Sequence, residues 1–197
     1  NRPGGVNPCG YITIHETGNA ARGADAAAHA AYLRGSSAQD APVSWHYTVD
    51  DHSIYQHLPD CERAYHAGDG GSGPGNATSI GIEICVDAGG DFEQAKANAA
   101  SLVRLLMERH DIPLDRVVQH NRWNGKDCPK TIRATAGAWE AFLALCGGQG
   151  SQDTDPELEA AVDALAAAGI IDSPERWKAL DFTANSVRLL LIKMGRY

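Results

Sequence analysis

Ser79-Ile80-Gly81-Ile82-Glu83-Ile84-Cys85 alternates strictly between apolar and other residues, and its reading decides the fold class. Successive side chains of a strand point to opposite faces, so the three isoleucines share one face and Gly81 and Glu83 take the other. Downstream, Asp91 to His110 has apolar residues at helical spacing, with Ala95, Ala99, Leu102 and Leu106 on one side. Upstream, Tyr11-Ile12-Thr13-Ile14-His15 alternates again and puts Tyr11, Thr13 and His15 on one face. Trp45 to Val49 and Ile54 to Leu58 are strand-like, and Asp50-Asp51-His52-Ser53 between them has turn chemistry. Arg116 to His120 is a further strand, Asp25 to Arg34 an alanine-rich helix closed by Gly35, and Thr135 to Cys146 a closing helix. Strands mixed with helices predict an α/β (α+β) domain, a central mixed β-sheet covered by helices.

A change of composition marks a second part. Gly147 to Asp155 is rich in Gly and turn formers and reads as a linker. The expected organisation is a domain over 1–146, a linker over 147–155 and a small all-helical module over 156–197. In that module Pro156 to Ala168 predicts a helix with Leu158, Val162 and Leu165 on one face and Gly169 as its stop. Asp172-Ser173-Pro174-Glu175 is a helix start signal, and Thr183 is expected to cap a last helix carrying Val187, Leu190, Leu191 and Met194. A unit this small has little core of its own. It is expected to dock on the first domain as a packing appendage or to pair two copies of the chain as a homodimer.

Composition excludes several classes of partner. The 197 residues carry a formal net charge of −8, which leaves nothing to neutralise phosphates in bulk and argues against nucleic acid. No apolar run reaches the roughly 18 residues of a membrane span. The N-terminal Asn1-Arg2-Pro3-Gly4-Gly5 has neither an initiator Met nor the apolar core of a signal peptide. Five cysteines at irregular spacing do not form a disulfide framework and point to a mostly reduced compartment of synthesis.

The chemistry concentrates around Val118-Gln119-His120-Asn121 and Cys128, eight positions past the histidine. That spacing suits a strand end and the loop after it. With His15 at the end of another strand, two imidazoles and a thiolate make three zinc ligands, and water takes the fourth position of a catalytic site. Glu83 can act as base and Lys126, two residues before Cys128, can face a developing oxyanion. The residues alone leave other readings open. Each histidine can be a partly buried polar group, Glu83 a charged strand face and Lys126 a solvated loop residue.

Five ordered segments carry a resemblance: Ile12 to Asn19, Trp45 to Asp51, Ala64 to Asp69, Ser79 to Cys85, and Gln119 through Pro129. Over about residues 1 to 145 the chain resembles type 2 N-acetylmuramoyl-L-alanine amidases, the zinc family that includes the peptidoglycan recognition proteins. Within it, the chain is most similar to amidase endolysins of phages and prophages of Gram-positive bacteria. The resemblance implies zinc on His15, His120 and Cys128, a catalytic acidic residue at Glu83 and a catalytic lysine at Lys126. It places Asn19, His66 and Trp45 at the substrate groove; some phage members have tyrosine where this chain has Trp45, so packing or bordering the groove is expected there rather than reaction.

The implied substrate is bacterial peptidoglycan, cut between the lactyl group of N-acetylmuramic acid and L-alanine in the course of cell-wall lysis. Synthesis in a host cytoplasm and action on the wall after release are expected, and the phrase Gly169 to Pro174 with Trp177, similar to C-terminal modules of some phage amidases, implies cell-wall attachment for 156–197. A non-catalytic peptidoglycan-binding protein is the alternative, although such recognition proteins often lack the cysteine that Cys128 supplies. A muropeptide-recycling amidase is a second alternative, against which the helical tail weighs.

Overall fold

The computed structural model describes residues 2–148 and 156–178. The chain divides into two compact units, Asn1–Gly150 and Ser151–Tyr197. In chain order the first unit contains β1 (Tyr11–Glu16), α1 (Ala26–Arg34), α2 (Ser36–Gln39), β2 (Tyr47–Val49), β3 (Ile54–Gln56), α3 (Pro74–Thr78) and β4 (Ser79–Ile84). It continues with α4 (Phe92–His110), β5 (Val117–Gln119), α5 (Asn121–Asn124), α6 (Lys130–Ala134) and α7 (Ala138–Cys146). The five strands form one sheet in the order β3-β2-β4-β1-β5. β2, β4, β1 and β5 run parallel, while β3 pairs antiparallel with β2, which makes the sheet mixed.

The two faces separate as the alternation of β4 requires. Ile12, Ile14, Ile80, Ile82 and Ile84 have no exposed surface and pack with Tyr47, Val49 and Val117 against Ala99, Leu102, Val103 and Leu106 of α4 and Phe142 of α7. Each such isoleucine stabilises the fold by about 1.5–3 kcal/mol relative to an exposed one. The opposite face carries Thr13, His15, Gly81, Glu83, His46 and Thr48, and chemistry is left to that side. α4 starts one residue later than the sequence pattern suggests, because Asp91 is its cap: the carboxylate accepts from the amides of Glu93 and Gln94. Asp25 likewise caps α1 by accepting from Ala28. The closing helix begins at Ala138 rather than Thr135, after Gly137 turns the chain at φ 78°.

The second unit holds α8 (Pro156–Ala167) and α9 (Pro174–Lys178) among its described residues. Gly169 (φ 68°) ends α8 in the left-handed region; its amide donates to Ala166, and that of Ile170 donates back to Leu165 at 2.9 Å. That pair of bonds satisfies the last carbonyls of the helix. Val162, Ile170 and Ile171 form a small core with Leu165, Ala166 and Trp177 packed on it. The helix expected after Thr183, and with it much of the surface expected to pair two copies, lies outside the described residues. No helix among the described residues is long and apolar enough to cross a membrane.

Candidate functional site

Strand register assembles the site. β1 and β4 pair so that His15 lies opposite Glu83, and Glu83 in turn lies opposite Thr48 of β2. β5 ends beside β1, where the His120 amide donates to the Ile14 carbonyl at 3.1 Å and brings the two histidines together. The chain after His120 folds back on itself: the Asn121 amide donates to the Cys128 carbonyl at 3.0 Å, and Gly125 (φ 80°) makes the turn between them. A histidine and a cysteine eight positions apart thereby share one point.

His15, His120 and Cys128 are all buried, and one ligand atom of each lies within 4.8 Å of the others. The Nδ1 atoms of the two histidines are 2.9 Å apart. His120 Nε2–H donates to the Ala67 carbonyl at 2.9 Å, which leaves its Nδ1 as a bare lone pair facing the other ring. Burial, then the neighbouring His66, His120 and Lys126 charges, holds His15 well below the ordinary imidazole range. His120 is lowered by burial and by Lys126. Burial pushes the Cys128 thiol up to about 11, opposed by the Glu16 amide hydrogen bonded to it. Neutral imidazoles and a buried sulfur aimed at one point fit a single soft or borderline cation, whose charge would stabilise the thiolate.

Glu83 Oε1 lies 3.9 Å from His15 Nδ1. Its other oxygen, Oε2, is buried with no hydrogen-bond partner. Burial raises this carboxyl to about 7, with Lys126 pulling it down and Glu16 pushing it up. Lys126 is exposed, and its charge acts on His15, Glu83, His120 and Cys128 together. An acceptor and a metal-type donor set therefore share one spot, with the Lys126 cation near enough for its charge to act on both.

The three positions expected to touch substrate differ in placement. Asn19 is exposed, and its side-chain oxygen accepts from the Ala21 amide at 3.2 Å. Trp45 is only 6% exposed; its indole N–H donates to Thr48 Oγ1 at 2.7 Å and Tyr32 stacks on it, so it packs rather than lining an open groove. His66 is placed deeper. The ring is 8% exposed and sits behind His15, its Nδ1 2.9 Å from His15 Nε2, so it faces a ligand residue and not an open surface.

Glu16 had no local signal in the sequence. Its carboxylate accepts from the amides of Thr131 at 2.8 Å and Ile132 at 2.9 Å, at the start of α6. One residue thus ties the segment after Cys128 to the end of β1. A second group of ligand-type atoms, Asp25, Asp50 and His52, also occurs. There Asp50 is occupied by the amides of Ala26, His52 and Ser53, as a turn and helix fastening.

The sequence profile of the Amidase_2 family, N-acetylmuramoyl-L-alanine amidase, matches residues 5–131, a span that contains His15, Glu83, His120, Lys126 and Cys128. The chain belongs to this family. Among Amidase_2 relatives, N-acetylmuramoyl-L-alanine amidase CwlH of Bacillus subtilis is 50% identical over 157 residues, covering 80% of this chain and 59% of that protein. N-acetylmuramoyl-L-alanine amidase XlyA of the same organism is 54% identical over 152 residues, covering 77% of this chain and 49% of that one. The chain thus spans about half the length of these curated relatives. The solved catalytic domain of XlyA superposes with a TM-score of 0.69 at 53% identity, covering 75% of this chain and 92% of that domain. The solution structure of the PlyG catalytic domain gives 0.66 at 36% identity, covering 77% and 88%. The Amidase_2 sheet and its helices are therefore those of the first unit.

Proposed function

We propose that this chain hydrolyses the amide bond between the lactyl group of N-acetylmuramic acid and L-alanine in peptidoglycan, using one zinc ion held by His15, His120 and Cys128. The observation that carries the reading is the convergence of these three buried donors within 4.8 Å, with the unspent carboxylate of Glu83 at 3.9 Å from His15 Nδ1. Family membership and the names of the relatives support the choice of bond.

When bound, zinc supplies Lewis-acid polarisation of a carbonyl and a more acidic water. The rest falls to side chains. Glu83, held out of bulk solvent and with Oε2 free, takes a proton from the attacking water and delivers it to the leaving alanine nitrogen. Lys126 brings its ammonium to the oxygen that becomes negative as the carbonyl turns tetrahedral. Its exposure suits a group that meets the substrate from the solvent side. Asn19 is proposed as a contact to the glycan or stem peptide and nothing more.

In this reading 1–146 is the catalytic domain, 147–155 a linker and 156–197 a module for wall attachment or self-association, and the enzyme acts on the wall after its release. Digestion of defined peptidoglycan with mass analysis of the products tests the central claim. Free L-alanine N-termini that disappear with chelator are expected. Cleavage between sugars or between amino acids, or binding without release, refutes it.

A further inference from the structure

Behind His15 runs a chain of buried polar groups whose proton positions are determined one from the next. The Trp123 indole can only donate, and it bonds Thr13 Oγ1 at 2.9 Å. Ser79 Oγ donates its single proton to the Gly75 carbonyl at 2.6 Å, because a carbonyl can only accept. The 2.8 Å contact between Thr13 and Ser79 is therefore made by the Thr13 proton. Ser79 Oγ then has one lone pair left, and it faces His66 Nε2 at 3.4 Å. That lone pair requires the His66 proton on Nε2.

The consequence reaches the ligand. With its proton on Nε2, His66 presents a bare Nδ1 to His15 Nε2, 2.9 Å away, so His15 must carry its own proton there. The lone pair of His15 then sits on Nδ1, the atom 2.9 Å from the bare Nδ1 of His120. Gly81 makes room for the arrangement: a Cβ there would stand 2.7 Å from His66 Cγ.

We propose that His66 is a positioning residue which, oriented by Ser79, Thr13 and Trp123, fixes His15 in the Nε2–H tautomer and so aims its Nδ1 lone pair at the metal. Trp123 lies between His120 and Cys128, so the loop that brings the sulfur also anchors the far end of the proton chain. The inference rests on the metal assignment made above, and its test separates the two.

Long-range proton–nitrogen NMR on the full chain with labelled histidines, loaded with zinc, reads each tautomer directly. His66 protonated on Nε2 and His15 bound through Nδ1 are expected; a proton on His66 Nδ1 overturns the proposal. Zinc affinity by competition with a chromophoric chelator supplies a second readout. His66→Leu should weaken it about 10- to 100-fold, the usual effect of losing a group that orients a ligand. His66→Asn, whose amide oxygen can still accept from His15, should recover part of the loss. Unchanged affinity in folded His66→Leu, or equal loss in both variants, overturns the proposal. If either variant fails to fold, the tautomer measured in the native chain decides alone. A native chain that binds no zinc would instead refute the metal assignment.

Discussion

Glu83 lies directly across from His15 in the register of β1 and β4, its Oε1 3.9 Å from His15 Nδ1 while its Oε2 is buried and unpartnered. A buried carboxylate with an unpartnered oxygen costs stability, and the proposed mechanism gives it a use. Glu83→Gln keeps the shape and removes the capacity to accept a proton. Hydrolysis of purified cell walls should fall about 100- to 10,000-fold, the range for losing a general base. The melting temperature should be equal or higher, and zinc content unchanged. Full activity in Glu83→Gln would remove the carboxylate from the mechanism.

Cys128 joins the site only because the segment from His120 folds back, with the Asn121 amide on the Cys128 carbonyl at 3.0 Å. That bond is made by backbone and survives substitution of the side chain. Cys128→Ser is therefore expected to fold but to lose zinc on dialysis, measured by elemental analysis beside the native chain. Retained stoichiometric zinc would show that the sulfur is not a donor.

Glu16 accepts two backbone amides with one carboxylate, 115 and 116 residues away in the chain. Hydrogen bonds to a charged group are worth about 1.5–3 kcal/mol each, and a neutral amide can accept only one while turning its NH2 group toward the other donor. Glu16→Gln should lower stability to urea by about 2 kcal/mol and weaken zinc binding, since the loosened segment carries Cys128. A variant with native stability and native zinc affinity would mean that the clamp is dispensable.

These cases mark which parts of the molecule were legible from sequence. The period-two alternation of β4 and the helical spacing of α4 are local patterns, so the layering of sheet and helix could be read directly. His120 and Cys128 were legible as a half-site because a strand end and its loop also lie close in sequence. Glu16 was not, because a helix start capped from 115 residues away leaves no mark beside either partner. His66 was assigned to the groove by resemblance; the packing of its ring over Gly81 depends on strand register, which no single segment encodes. Short helices such as α3 and α5 were missed for a related reason, having too few turns to display a period.

Two histidines away from the metal ligands predict how the fold responds to acid. His46 is buried and neutral: its Nε2–H donates to the Glu62 carbonyl at 2.8 Å and its Nδ1 accepts from the Gly81 amide at 2.9 Å. Burial lowers its pKa, with the Glu62 carbonyl opposing. His57, against Thr48 Oγ1 at 2.8 Å, is lowered to about 4, by burial first and then by the nearby Arg34 charge. Both folded values lie below the unfolded value of about 6.5. The unfolded chain therefore binds more protons between about pH 4 and 6.5, and stability rises with pH across that window. The contribution of these two histidines should be fully present above about pH 6.5 and fall as pH drops toward 4, each adding a slope of up to about 1.4 kcal/mol per pH unit. Urea unfolding from pH 4.5 to 7.5 with chelator present, so that metal release adds nothing to the slope, measures it. His57→Gln should flatten the dependence by close to one proton; a slope identical to that of the native chain would show that His57 is not held neutral by the fold.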